Sequence, residues 1–228
     1  MELQFLGHSF FRVAGEGTTV LFDPLLNFRP RADGLKPSLK QQAQKSKLLD
    51  DVSLLVISHE HTDHFDKAAI EEAASKNNAC IVAHDSVLSQ LSLPKPMLRA
   101  VSAGDKISLR GCEIEAIPAH HPQAFYPLSF LLTLGGKRIF FAGDTDLTDT
   151  LTRVKADVAL LPIGGTYTMD LVDAVRATKA IKPQYAIPMH YNTYPEIKAD
   201  PHEFRQRIEK SILKTKAVVL EQGECFKF

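Results

Sequence analysis

Residues 59–64 read His-Glu-His-Thr-Asp-His and follow directly on the apolar run from Leu54 to Ile57 and Ser58. Three imidazoles and two carboxylates at the end of a buried strand are costly unless they have partners of their own. In an extended chain residues two apart project to the same side, so His59 and His61 face one way, and a turn lets Asp63 and His64 converge from the same loop. Imidazole nitrogens and carboxylate oxygens at this density are donors for zinc or a similar divalent cation. The stretch opens like the helical metalloprotease motif His-Glu-x-x-His. Its fifth residue, however, is Asp63, and the preceding residues are strand formers rather than helix formers, so that reading fails.

One cluster supplies too few donors for two cations. Three other apolar runs empty into the same residue types: "EIEAIPAHHP" delivers His120 and His121, "RIFFAGDTD" delivers Asp144, and "YAIPMHYNT" delivers His190. Each alone is a weak signal; together they repeat one theme, a buried strand ending in a histidine or aspartate. A metal-bound imidazole donates its other N–H to an acceptor, and Asp23 of "LFDP" is the first choice for that acceptor. His8 of "GHS" also sits at a strand end. Tyr167, Thr168, Tyr191, Asn192 and Tyr194 occupy loops expected on the same face, where they would contact substrate or cap the loops, and His84 and His202 read as surface residues.

The elements that must position these residues are short. "LQFLG", "SFFRV" and "TTVLFD" are strand-like, with "AGEG" as a hairpin turn, and hairpins are expected at Arg110-Gly111 and Gly135-Gly136. Asp66 caps a helix over "DKAAIEEAASKNNA", "MDLVDAVRATKAIK" has an amphipathic helical period, "HEFRQRIEKSIL" is a further helix, and "KAVVLEQGECFKF" reads as a final strand pair. Pro24–Lys47, rich in proline and basic residues, reads as a long loop or lid. Hairpins interspersed with helices imply an α/β layer architecture, and no composition break divides residues 1–228, so a single domain is expected.

The chain has 228 residues with 27 basic and 27 acidic side chains, a balance that argues against a wide face for nucleic acid or anionic membrane. The N-terminus lacks the basic and apolar pattern of a signal peptide, and no apolar run approaches the ~20 residues of a membrane span. Cys80, Cys112 and Cys225 read as buried free thiols of a reducing compartment, with the cytoplasm as the default location. Neither a Gly-x-Ser-x-Gly elbow nor the lysine of a phosphate-cradling loop is present, which disfavours a serine nucleophile and nucleotide hydrolysis by that route.

"SHEHTDH", "PAHH", "FAGDT" and "PMHYNT", in that order, resemble the metallo-β-lactamase superfamily, and "GHSFF", "LFDP" and "LPIGGTYTM" resemble its small lactonase-like branch related to ascorbate-6-phosphate lactonase. The resemblance implies a four-layer αββα sandwich with a binuclear site at one edge. It implies that His59, His61 and His121 hold one cation, that Asp63, His64 and His190 hold another, and that Asp144 bridges both. His121 is favoured by the spacing in that branch; an alternative alignment favours His120, which otherwise sits beside the site or faces substrate. The resemblance also puts His8 near the site. The implied activity is a hydrolase using a bridging hydroxide on a small lactone, ester or phosphodiester-type substrate, with Asp63 and Asp144 catalytic and with two divalent ions, zinc first and manganese or iron as alternatives. The basic residues Arg29, Arg31, Lys36 and Lys40 favour an anionic substrate; homo-oligomerisation is compatible with the sequence. The alternatives are a nuclease or phosphodiesterase of the same fold, and a non-enzymatic metal-binding protein. Di-iron redox chemistry is disfavoured, because the resembling flavodiiron proteins carry glutamate where this chain has His61.

Overall fold

The computed structural model describes residues 1–26 and 48–228. The expected lid at Pro24–Lys47, with Arg29, Arg31, Lys36 and Lys40, falls outside the described residues except for Pro24–Leu26.

Two seven-stranded sheets face each other. The first contains β1 (Glu2–Gly7), β2 (Phe10–Gly15), β3 (Thr18–Phe22), β4 (Leu54–Val56), β5 (Cys80–Ala83), β6 (Leu98–Ala100) and, at the far edge, β14 (Cys225–Lys227), in the order β14-β1-β2-β3-β4-β5-β6. The second contains β7 (Lys106–Leu109), β8 (Cys112–Pro118), β9 (Leu128–Leu134), β10 (Lys137–Phe141), β11 (Val158–Pro162), β12 (Tyr185–Met189) and β13 (Lys216–Ala217), in the order β13-β12-β11-β10-β9-β8-β7. Both sheets run through antiparallel pairings to parallel ones at the same station: β3 meets β4 and β10 meets β11 in parallel.

The inner parallel strands β4, β5, β11 and β12 are buried on both faces, which is why they read as unbroken apolar runs rather than as alternating ones. On β4, Leu54 and Val56 join the core between the sheets, while Leu55 and Ile57 join a second core with Ile70, Ala73 and Ala74 of α1 (Lys67–Asn77). Phe22 stacks on Phe141 at 4.7 Å, closing the space between the sheets directly beneath the ends of β3 and β10. Helix α1 starts where Asp66 accepts from the Ala69 N–H and ends at Asn78 in the left-handed region, as its sequence signals require. The short α2 (Asp85–Leu88) follows β5. Helix α3 (Leu171–Ile181) lays Ala174, Ala177, Thr178 and Ile181 into the core beside β11, and α4 (Pro201–Glu209) packs against it. The helices therefore cover the outer faces, giving the expected αββα arrangement.

Away from these strand ends, the Thr18 hydroxyl donates to the Arg110 carbonyl at 3.0 Å and ties one sheet to the hairpin of the other. The hairpins turn where expected, with Arg110-Gly111 and Gly135-Gly136 at positive φ. The expected final strand pair is corrected: β13 joins β12 in the second sheet, whereas β14 joins β1 in the first. The turn-like "EQGE" does not fold back on β13; the Gly223 N–H donates to the Phe5 carbonyl and the Phe5 N–H to the Glu224 carbonyl, so β1 captures the segment. Cys225 is likewise exposed on this edge strand, while Cys80 and Cys112 are buried as expected. Among the described residues no helix is long and apolar enough to cross a membrane.

Candidate metal centre

Strand ends from both sheets converge at one edge. The first sheet delivers His8 in the β1–β2 turn, Asp23 after β3, and His59, His61, Asp63 and His64 after β4; the second delivers His121 after β8, Asp144 after β10 and His190 after β12. His8, Asp23 and His190 have φ of 55°, 42° and 54°, a left-handed conformation that costs a residue with a β-carbon about 1–3 kcal/mol. Hydrogen bonds hold them there: Asp23 N–H donates to the Val56 carbonyl at 3.1 Å, and His190 N–H donates to the His8 carbonyl at 3.0 Å, joining the two sheets. Gly143, just before Asp144, has φ 57°, and a β-carbon there would lie 2.9 Å from that of Ser58.

The outer hydrogen bonds decide where the imidazole lone pairs point. The His121 Nδ1–H donates to the Tyr167 carbonyl at 3.1 Å and the His61 Nε2–H to the Gln123 carbonyl at 3.1 Å, because a carbonyl can only accept. The inner nitrogens, His121 Nε2 and His61 Nδ1, are then bare lone pairs 3.2 Å apart. Two such acceptors face each other only with a cation or a shared proton between them. His64 Nδ1 lies 2.6 Å from Asp23 Oδ2, leaving Nε2 aimed at Asp144 Oδ1 at 3.2 Å. His190 Nε2 stands 3.2 Å from Asp144 Oδ2, and His121 Nε2 3.9 Å from the same oxygen. These contacts with Asp144 lack hydrogen-bond alignment: the buried Nε2 atoms of His59, His64 and His190 and Oδ1 of Asp144 find no hydrogen-bond partner among the described residues. Donor atoms group as His59, His61 and His121 on one side and as Asp63, His64 and His190 with His8 on the other, while Asp144 lies against both. Inward lone pairs, unpartnered buried donors and an N/O ligand set fit divalent cations.

The electrostatics suit the same occupant. Burial pushes the imidazoles of His59 and His121 down and that of His8 to about 3, so they stay neutral. Burial works against ionisation of Asp144, yet its electrostatic interactions with the His190 and His64 rings hold its carboxyl well below the usual range. Burial likewise opposes ionisation of Asp63, and the hydrogen bond from His8 overcomes it. Burial would lower His64 too, but the Asp144 charge raises it. Asp23 is raised by its burial, which the bond from His64 offsets in part.

A cavity of roughly 210 Å³ opens on this cluster, lined by His61, Asp63, His121, Gln123, Asp144, Tyr167 and His190. His120 is not in the cluster: it is exposed, with Nδ1 2.9 Å from Asp146 Oδ2. Tyr167 lines the cavity. Thr168, Tyr191 and Asn192 do not; Thr168 donates to the Met169 carbonyl and Asn192 Oδ1 accepts from the Ala199 N–H, closing loops. Tyr194 sits edge-on to His8 at 5.9 Å. His84 is corrected from a surface residue to a half-buried one, because its ring stacks on Tyr126 at 3.8 Å and accepts from the Ser86 N–H at the start of α2.

Two participants escaped the sequence reading. Ser58 donates its hydroxyl to Asp23 Oδ2 at 2.6 Å and lies 2.9 Å from His59 Nδ1. Its place two residues after Val56, on the face of β4 turned to the other sheet, is a signal that could have found it. Gln123 shows no signal beyond its nearness to His121.

A family described as "Beta-lactamase superfamily domain" matches residues 2–190. The chain belongs to that superfamily. Among the relatives, the UPF0173 metal-dependent hydrolase of Carboxydothermus hydrogenoformans is 34% identical over 223 residues, covering 91% of this chain and 92% of that protein. Its counterpart in Thermofilum pendens is 35% identical over 239 residues, covering 100% and 99%. Among solved structures, Igni18, described as a novel metallo hydrolase from the hyperthermophilic archaeon Ignicoccus hospitalis, superposes with a TM-score of 0.82 at 32% identity, covering 100% of this chain and 98% of its own. The superfamily and the αββα metallo-β-lactamase fold read from the sequence are therefore those of the protein.

Proposed function

We propose that this chain is a binuclear metal-dependent hydrolase acting on a small substrate, with His59, His61 and His121 holding one cation, Asp63, His64 and His190 the other, and Asp144 between them. The observation that carries the reading is the pair of bare lone pairs on His61 and His121, 3.2 Å apart with their outer N–H groups already committed. Relatives across nearly the whole chain carry the name metal-dependent hydrolase, which supports it.

Two divalent cations bound here would supply ionised water as nucleophile and polarise the scissile group. The protein's own residues do the rest. Asp144, anionic and buried, balances the positive charge of the pair. Asp63 is the more open carboxylate, at 21% exposure, and faces the cavity, where it can take up the proton released as the water ionises and pass it to the leaving group. Gln123 and Tyr167 line the mouth and are placed to contact substrate while their carbonyls hold His61 and His121. A cavity of this size suits a small lactone, ester or phosphodiester-type centre. Zinc is the first choice for such ligands and manganese or iron the next.

The test is elemental analysis of the reconstituted protein coupled to hydrolysis assays on lactones, esters and phosphodiesters. Two cations per chain and turnover that disappears in a His59→Ala/Asp144→Ala double variant are expected. Fewer than two cations per chain, or turnover that survives the double substitution, overturns the reading.

A further inference from the structure

His8 lies outside the seven proposed ligands, yet it is 2% exposed and touches three of them. Gly7 and His8 make the turn between β1 and β2, at φ 112° and 55°. A β-carbon at residue 7 would lie 2.8 Å from Gln222 Nε2, so the turn is packed from outside as well. The His8 ring is 4.2 Å from that of His190 and 5.4 Å from that of His64, and its carbonyl accepts the His190 N–H. Its Nε2 is 3.3 Å from Asp63 Oδ2, and its Nδ1 is 2.6 Å from Thr193 Oγ1.

One tautomer serves both contacts, the ion-pair distance at Nε2 and the hydrogen bond at Nδ1. An ionised carboxylate only accepts, so Nε2 carries the proton; the threonine hydroxyl can act either way and donates to Nδ1. We infer that His8 is the positioning residue of Asp63: its Nε2–H holds Oδ2 and keeps the carboxylate beside His190, while Thr193 fixes the ring. The inference rests on the two-cation reading and narrows it, because it assigns the N-terminal turn to the second cation alone. His8 groups with Asp63, His64 and His190, whereas His59, His61 and His121 form a separate group of donors. A hydrogen bond to one oxygen of a ligating carboxylate sets its orientation, and loss of such a partner costs about 10–100-fold in metal affinity.

The test compares wild type, His8→Ala, His8→Gln and Thr193→Val by competitive chelator titration with zinc, by the visible spectrum of the cobalt-loaded protein, and by circular-dichroism melts that read folding separately. His8→Ala is expected to keep one cation at wild-type affinity and to lose about 10–100-fold on the second. His8→Gln, whose amide N–H can reach the same oxygen, recovers most of the loss, and Thr193→Val shows a smaller loss in the same direction. If His8→Ala does not fold, the other two variants carry the comparison. His8→Ala holding two cations at wild-type affinity overturns the assignment. So does a His8→Gln protein whose second cation is as weak as in His8→Ala and whose cobalt spectrum is changed, the result expected of a direct ligand. In the metal-free wild type, imidazole ¹⁵N shifts should place the His8 proton on Nε2, and a proton on Nδ1 refutes the pairing. Wild type that binds fewer than two cations overturns the two-cation reading instead, and the tautomer then decides the His8–Asp63 pairing by itself.

Discussion

Asp23 Oδ2 lies 2.6 Å from His64 Nδ1 and 2.6 Å from the Ser58 hydroxyl, which in turn lies 2.9 Å from His59 Nδ1. One buried carboxylate thus orients a donor of each proposed cation, His64 directly and His59 through Ser58. Asp23→Ala strands three buried donors, the Ser58 N–H, the Ser58 hydroxyl and His64 Nδ1, and should lower stability by several kcal/mol, about 1–3 kcal/mol for each unpaired group. It should also weaken both cations, whereas Ser58→Ala should weaken chiefly the one at His59. Chelator titration of the two variants separates them; equal effects on both sites from Ser58→Ala would contradict this relay.

His121 and His120 are neighbours in sequence with opposite surroundings. His121→Ala removes a lone pair from the cluster and should abolish turnover and bind one cation fewer. His120→Ala removes an exposed ring paired with Asp146 and should leave metal content at the wild-type value. Metal analysis of the two purified variants checks this, and the reverse pattern would move the ligand to His120.

Gly143 has no room for a side chain. A β-carbon there meets Ser58 Cβ at 2.9 Å and the Leu128 carbonyl at 3.1 Å, and φ is 57°. Gly143→Ala should cost about 1–3 kcal/mol from overpacking, read as a lower denaturant midpoint, and should displace Ser58 and Asp144 enough to reduce turnover. Unchanged stability would show that the β10 turn can relax.

The metal-free protein should lose stability on acidification from pH 7 to pH 5. His8 is lowered by burial to about 3 against about 6.5 when unfolded, so within that window the unfolded chain binds a proton that the folded chain does not. His59 and His121, also lowered by burial, act in the same direction. His64 acts oppositely: raised by Asp144, it contributes stability below about 6.5 that is lost as pH rises through its folded value. Three groups against one give a net fall, and His8→Gln should flatten it. Urea midpoints at the two pH values check the sign.

The strand ends were legible because polar donors after apolar runs break the pattern that burial imposes, as at His59, Asp144 and His190. The choice of His121 was legible only through the resemblance, since the sequence gives His120 and His121 the same neighbours and only the turn after β8 separates them. The fate of Lys216–Lys227 was hidden because pairing partners at sheet edges lie far along the chain: Ala217 pairs with Ala186 and Cys225 with Gln4. For Asn192 the sequence left substrate contact and loop capping open, and its side chain caps the loop that returns to Ala199.

The two sheets are joined at separate places by different means. Where Thr18 meets Arg110, a hydroxyl-to-carbonyl bond and the packed hairpins hold them together without help. At the strand ends, each proposed cation draws donors from both sheets, so the ions would act as a clasp across that seam. Chelation should then unbutton one rim while the other stays shut: amide exchange should rise first in residues 58–65, 119–124 and 190–194, and the hairpins at Arg110 and Gly135 should keep their protection until the whole molecule opens.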